Sequence, residues 1–327
     1  MAHIGYFGAG TWGVSLASIL ARNGHTVTMW TRNPAFAELL QTTRVHPKLP
    51  GCPLPASITF TSRLTQAVDE ADVLVESVTS SGVRPLFQQL AATRVPIILT
   101  SKGIEQDSGL LLPEVVAQVV GHNLIGYLSG PSHAEEVIQG LPASVVCSGY
   151  DEGVILLTQE LFTTPSFRIY PNGDIAGVAF GGAMKNVVAI ACGISDGLGC
   201  GDNAKAVLMT RGLHEMRKLA PIKGCKPETL NGLSGMGDLC VTCLSKHSRN
   251  ARFGRLLAEG LSAEAARQQI GMAVEGAYTC LSVYQLAKKH EIPVPITEAT
   301  YSILYGGLSP KEAVQLLMQR TVKEEHL

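Results

Sequence analysis

Short apolar runs alternate with amphipathic segments through the first half of the chain. Runs at residues 3–7, 26–31, 73–78, 96–100, 124–128, 143–147 and 167–170 predict strands, being rich in Val, Ile, Leu and aromatic residues. Helices are expected between most of them, at 12–23, 63–70, 85–93 and 110–120. Strand–helix alternation at this spacing predicts a parallel sheet with helices on both faces, a Rossmann-like doubly wound α/β fold. A loop carrying Pro47, Pro50, Pro53 and Pro55 interrupts the pattern. Proline lacks the N–H a ladder needs, so this loop cannot be a central strand. After about Asn172 the strand-like runs vanish and helical periodicity takes over. Val274, Ala277, Tyr278, Leu281 and Tyr284 form one stripe, and Val314, Leu317 and Met318 repeat the spacing in a last helix. Ser309-Pro310 marks the start of that helix, as a cap followed by proline in the first turn. The expected organisation is a Rossmann-like domain at 1–172 and an all-helical substrate and catalytic domain at 173–327.

Composition narrows what such a chain does. Of its 327 residues, 46% are hydrophobic and 16% charged, which excludes intrinsic disorder. Lys and Arg number 26 against 27 Asp and Glu, a net charge of −1. That balance argues against a general nucleic-acid binder, which needs a basic excess. It leaves room for a small anionic ligand held by a few cations. The most apolar stretch, 175–195, is interrupted by glycines and a central Lys185, so no membrane span is expected. The first residues lack the basic-then-apolar pattern of a secretory signal, and the eight cysteines are scattered. Reduced thiols and a cytoplasmic location are expected. Cys240 and Cys243, with His247 nearby, resemble half a zinc site. No second ligand pair follows, so no metal is expected.

Chemistry first shows at Gly8-Ala9-Gly10-Thr11-Trp12-Gly13, directly after the first strand and opening the first helix. There one glycine makes a tight turn, one lets backbone approach a pyrophosphate, and one lets helix pack on strand. Enzymes that use NAD usually carry an acid at the end of the second strand for the ribose 2′-hydroxyl. Here that strand ends Trp30-Thr31-Arg32 with no acid. Arg32 is placed to meet a 2′-phosphate or stack on adenine, with a solvated surface Arg as the alternative. NADP is preferred, with NAD not excluded.

Isolated cations mark a second end. Lys102 follows a strand immediately, where open α/β sheets bind ligands. Lys185 is the one charged side chain between Ile175 and Ser195. A buried ammonium is costly unless partnered, and desolvation lowers its pKa toward the range useful for proton transfer. Asp238, in a glycine-rich loop, either caps the next helix or orients a lysine and a substrate hydroxyl. Ser248-Arg249-Asn250 opens another helix and offers a guanidinium fork for phosphate. His133 stands among small residues, Gly130 to Ala134, that read as a tight ligand-facing loop rather than a catalytic acid site.

Together these motifs resemble the NAD(P)-dependent glycerol-3-phosphate dehydrogenases. The resemblance runs from Gly8 to about Gly307 and rests on motifs in order: the glycine loop, Ser101-Lys102-Gly103, Leu128 to Glu135, Lys185-Asn186, Gly235 to Asp238, Thr242-Cys243 with Ser248 to Asn250, and Val274-Glu275-Gly276. It implies a Rossmann-like domain followed by an all-α domain, and hydride transfer between NAD(P)H and dihydroxyacetone phosphate. It also implies cofactor contacts at Gly8, Gly10, Thr11, Trp12, Gly13, Arg32, Lys102, Ala134, Arg249, Ala273 and Glu275. Substrate contacts are implied at Lys102, Gly130, Ser132, Lys185, Asn186, Asp238, Thr242, Ser248, Arg249 and Asn250. Lys185 matches the proton donor and acceptor, with Lys102 and Asp238 as its catalytic companions. The implied product, sn-glycerol 3-phosphate, would serve phospholipid synthesis, and a homodimer is an open expectation. Departures are slight: Cys240 and Cys243 sit near the substrate loop. Two rival readings remain. A β-hydroxyacid or 6-phosphogluconate-type dehydrogenase would take a carboxylate substrate. A non-catalytic dinucleotide sensor would show a degraded substrate end.

Overall fold

Central strands are buried on both faces, and their sequences are correspondingly apolar throughout. The computed structural model describes residues 1–90, 93–322 and 324–325. Its first half runs β1 (His3–Phe7), α1 (Thr11–Arg22), β2 (Thr26–Trp30), α2 (Pro34–Thr43), β3 (Ile58–Thr61), α3 (Leu64–Val68), β4 (Val73–Glu76) and α4 (Ser80–Gln88). Then follow β5 (Ile97–Leu99), α5 (Leu112–Val120), β6 (Ile125–Ser129), α6 (Ala134–Val137), β7 (Ala143–Gly149), α7 (Glu152–Phe162) and β8 (Phe167–Asn172). Among the described residues these strands form one sheet in the order β3-β2-β1-β4-β5-β6-β7-β8. The order reverses direction between β1 and β4, which creates the switch point where doubly wound sheets bind ligands.

The expected parallel sheet carries one antiparallel pair. β7 pairs antiparallel with β6 and parallel with β8. A parallel neighbour requires a full crossover, and the link from Gly130 to Pro142 carries only the four-residue α6. The chain therefore turns back beside β6. β3 is an addition: it follows the proline loop and pairs with β2 at the sheet edge. β8 closes the other edge and tolerates Pro171 there, where one side of the ladder is open. Helix α4 begins at Ser80 and carries Pro85 inside, so proline did not mark its start. Residues 91 and 92 of the helix expected at 85–93 lie outside the described residues.

Helices then take over: α8 (Ile175–Gly197), α9 (Gly201–Leu219), α10 (Asp238–Leu244), α11 (Arg249–Ala258), α12 (Ala263–Ile270), α13 (Glu275–Lys289), α14 (Pro295–Tyr305) and α15 (Pro310–Met318). The chain divides into two compact units, residues 1–101 with 112–178, and residues 102–111 with 179–327. In the second unit Gly193 of α8 faces the backbone of Ala251, and Gly254 of α11 faces the backbone of Ile190. Side chains would hold these helices apart, so glycine sets their spacing.

Two helices bear on what their sequences predict. α8 contains a window of mean hydropathy 1.6, so its length and composition would suffice to cross a membrane despite Lys185 and the glycines. However, 94% of that window is buried inside the protein, where its apolar surface already serves the core. In α13 the buried face is Ala277, Cys280, Val283 and Ala287, while Tyr278, Leu281 and Tyr284 are only half-buried. The aromatic positions flank the contact because small residues let α13 pack closely. α15 begins as expected, with Ser309 and Glu312 completing a reciprocal cap.

Candidate active site

The first unit presents its chemistry at the end of β1. Gly8 has φ +104°, and its amide donates to the Trp30 carbonyl at 2.9 Å. A Cβ at Gly13 would lie 2.0 Å from the Gly8 carbonyl oxygen, so helix α1 sits against the turn as only glycine permits. A Cβ at Gly10, in contrast, would meet nothing within 4 Å. That glycine faces open space, and no side chain caps the amides of α1 beside it. Unsatisfied N–H groups at a helix start beside an open backbone suit a pyrophosphate. The residues present therefore fit a dinucleotide. Thr11 and Trp12 are half-buried in the first turn, Trp12 packing on the unit's core, and Arg32 lies exposed just past β2. In the same unit Gly130 has φ +149° and Val145 close against it, while the Ser132 hydroxyl donates to the Gly130 carbonyl at 2.8 Å. The Ala134 carbonyl accepts from Ser15 at 3.0 Å.

In the second unit a carboxylate gathers two ammonium groups. A π-helical turn, Leu233–Gly237, leads into Asp238 at the start of α10. Such turns are rare and often mark functional sites. Gly235 within it lies against the Leu230 backbone, so the turn is tightly folded. Asp238 is 1% exposed; its Oδ2 lies 2.5 Å from Lys102 Nζ, and its Oδ1 accepts from Lys185 Nζ. Lys185 also donates to the Thr242 hydroxyl at 2.8 Å, one turn further along α10. Two cations share one carboxylate, which leaves a local positive excess suited to an anionic ligand. Burial drives the Lys185 pKa down to about 7; Asp238 opposes the shift and Lys102 adds to it. An ammonium with that value can both give and take a proton near neutrality.

The neighbouring polar groups are engaged with the scaffold. Asn250 accepts from the Gly276 amide at 3.1 Å and donates to Asn186 at 2.9 Å, tying α8, α11 and α13 together. Ser248 caps α11 by accepting from the Ala251 amide. The Arg249 guanidinium is exposed and donates to the Ala273 carbonyl at 2.9 Å, close in sequence to Glu275. Cys243 packs with Cys192, Leu239 and Val188; contact with Cys192 and burial push its thiol up, so it stays protonated. The structure thus gathers Lys102, Lys185, Asp238 and Thr242 at one point. It links Asn186 with Asn250, and Arg249 with Ala273, within the same unit. Among the described residues, the buried carboxylates Glu76, Asp174 and Glu215 escaped the sequence reading. Glu215 of α9 caps the start of α14 through the Ile296 and Thr297 amides. Glu76 ends β4, and an acid closing an apolar strand was the signal that marked it.

A switch-point dinucleotide turn in an α/β unit, continued in the same chain by an all-helical unit with a lysine–aspartate cluster, is the plan of the two-unit dehydrogenases. A D-mandelate dehydrogenase structure shares that fold at TM-score 0.67 and 13% identity, over 95% of this chain and 99% of that one. Far more similar is the glycerol-3-phosphate dehydrogenase of Coxiella burnetii, with TM-score 0.94 and 38% identity over 98% of this chain and 99% of its own. Glycerol-3-phosphate dehydrogenase [NAD(P)+] of Protochlamydia amoebophila is 59% identical over the whole of both chains. That of Chlamydia pneumoniae is 55% identical over 99% of each. Family models for the N-terminus and C-terminus of NAD-dependent glycerol-3-phosphate dehydrogenase match residues 3–154 and 174–315. The chain belongs to this family.

Proposed function

We propose that the chain is an NAD(P)-dependent glycerol-3-phosphate dehydrogenase that interconverts dihydroxyacetone phosphate and sn-glycerol 3-phosphate. The observation that carries this reading is Asp238 holding the buried Lys185 and the half-buried Lys102, within the stretch matched by the family's C-terminal model or joined to it by a salt bridge. The nicotinamide cofactor, when bound, supplies or accepts the hydride. Lys185 gives a proton to the substrate oxygen during reduction and takes it back during oxidation, as a group titrating at about 7 can do in both directions. Asp238 and Thr242 hold the Lys185 Nζ in place, and the positive excess with Lys102 stabilises negative charge on that oxygen. Arg249 offers its planar fork to the phosphate, with Asn186, Ser248 and Asn250 holding the local frame, so binding energy at the unreactive end orients the reactive one.

Further assignments belong to the same reading. Gly8, Gly10, Thr11, Trp12, Gly13, Arg32, Ala134, Ala273 and Glu275 serve the cofactor; Gly130 and Ser132 serve the substrate. Arg32, in place of an acid after β2, supports a preference for NADP over NAD. The reading assigns dinucleotide binding to 1–172 and substrate chemistry to 173–327, with Lys102 contributed from the earlier segment. A cytoplasmic setting accords with the free thiols of the cysteines, and the product suits phospholipid synthesis. The homodimer is part of the proposal.

The test is turnover of dihydroxyacetone phosphate with NADPH. Lys185→Ala should lose activity by about 10²–10⁴-fold while NADPH binding survives. Near-normal turnover in that variant would remove Lys185 from the mechanism. A preference for 2- or 3-hydroxy acids over the triose phosphate would sink the substrate assignment.

A further inference from the structure

The lysine–aspartate pair lies in a seam between α8 and the turn that leads into α10. Lys185 meets Asp238 there. Four residues earlier on each side, Gly181 of α8 faces the Ser234 carbonyl. Further along, Val188, Ala189 and Cys192 pack with Leu239 and Cys243. Positions four apart share one face of a helix, so Gly181 and Lys185 look toward the same partner.

At Gly181 backbone approaches backbone. A Cβ there would lie 2.8 Å from the Ser234 carbonyl oxygen and 3.1 Å from Leu230 Cδ2. Leu230 is fully buried, and the Ser234 hydroxyl is buried without a hydrogen-bond partner. Close packing, and not a side-chain bond from Ser234, therefore seats the turn. On its other side the turn is equally tight, since a Cβ at Gly235 would lie 2.0 Å from the Leu230 carbonyl oxygen. The turn is π-helical, and the Asp238 amide donates to the Leu233 carbonyl five residues back. An α-turn holds one residue fewer, which would leave Asp238 about 100° further round the helix. The meeting of Asp238 with Lys185 thus depends on the winding of this turn and on the depth at which it seats against α8.

We infer that Gly181 is a positioning residue for the proton-transfer group: by admitting the Ser234 carbonyl against α8, it fixes where Asp238 meets Lys185. A side chain at 181 would push the turn off α8 and carry Asp238 away from the lysine. All of these residues lie in one compact unit, residues 102–111 with 179–327. The inference rests on the role of Lys185 proposed above.

Such a displacement has a chemical signature. Lys185 is faced by Asp238, by Lys102 on the other oxygen of that carboxylate, and by Cys243 of α10, which stays protonated. Burial and Lys102 favour the neutral amine, whereas Asp238 favours the ammonium. A weaker hold by Asp238 therefore lowers the Lys185 pKa further below its value of about 7. Reduction needs the ammonium, so the alkaline limb of the rate moves to lower pH.

The experiment reads kcat/KM for dihydroxyacetone phosphate at saturating NADPH as a function of pH. Gly181→Ala should lower it by about 10-fold or more and bring the alkaline limb down by about half a pH unit or more. Its NADPH dissociation constant should change by less than about threefold. Gly197→Ala, at the far end of α8, controls for packing alone, since a Cβ there would lie 2.6 Å from the Ala258 Cβ. It should lower the melting temperature and leave the limb in place. If Gly181→Ala fails to fold, Leu230→Val loosens the same seat; it should cost about threefold or more and move the limb the same way. An unmoved limb, a Gly181→Ala rate within about threefold of wild type, or an equal displacement in Gly197→Ala would each overturn the inference. A wild-type protein inert toward dihydroxyacetone phosphate would instead overturn the function itself.

Discussion

Lys185 shows how an ordinary side chain becomes chemical through its surroundings. At 7% exposure it loses most of its hydration, and one shared carboxylate does not fully restore the ammonium's stability. Its isolation in an otherwise neutral stretch was visible in the sequence. Its partners came only through the family resemblance and not from any local pattern, because Asp238 and Lys102 lie in distant parts of the chain. Asn250 carries a similar lesson: read as a phosphate donor, its amide also ties Asn186 to the Gly276 amide. Arg32 is the opposite case. It is exposed, so packing does not hold it in place. Arg32→Asp should move the ratio of kcat/KM values from NADPH toward NADH, since an acid there accepts from a ribose hydroxyl and repels a 2′-phosphate. An unchanged ratio would take Arg32 out of cofactor selection.

Elements in the helical unit are spaced by glycine as much as by apolar side chains. A Cβ at Gly254 would lie 2.2 Å from the Ile190 carbonyl oxygen and 2.7 Å from the Ile194 nitrogen. Both are backbone atoms within a buried helix, so neither can move aside cheaply. Gly254→Ala should destabilise the protein by about 3 kcal/mol in denaturant unfolding. Gly10→Ala, facing open space, should cost less than about 1 kcal/mol and instead weaken NADPH binding. Equal stability losses would show that the α8–α11 approach is softer than its geometry implies. Periodicity found the helices, but not which face they bury. In α13 the tyrosines drew the stripe toward themselves, whereas contact runs along Ala277, Cys280 and Val283. The four-residue α6 and its antiparallel consequence were also beyond reach, since strand direction depends on where a link returns.

Across the whole molecule, the charge in the core links function to stability. Burial lowers the Lys185 pKa to about 7 in the folded protein, from its ordinary value of 10.5. Between these values the unfolded chain binds more protons, so this group makes stability rise with pH; below about 7 its full penalty stands. Lys185→Met removes that dependence. The stability of the variant relative to wild type should therefore fall by about 2 kcal/mol between pH 7 and pH 9, read from chemical unfolding at each pH. A gap that stays constant would mean that Asp238 fully offsets burial. By itself the sequence determined the α/β-then-helical order, the dinucleotide turn and the lone core lysine, because periodicity, glycine and misplaced charge are local signals. Only tertiary structure decided which carboxylate holds which lysine, which strand runs backwards, and that α8 lies buried in protein. Those are contacts between residues far apart in the chain, and no local pattern encodes where a distant segment returns.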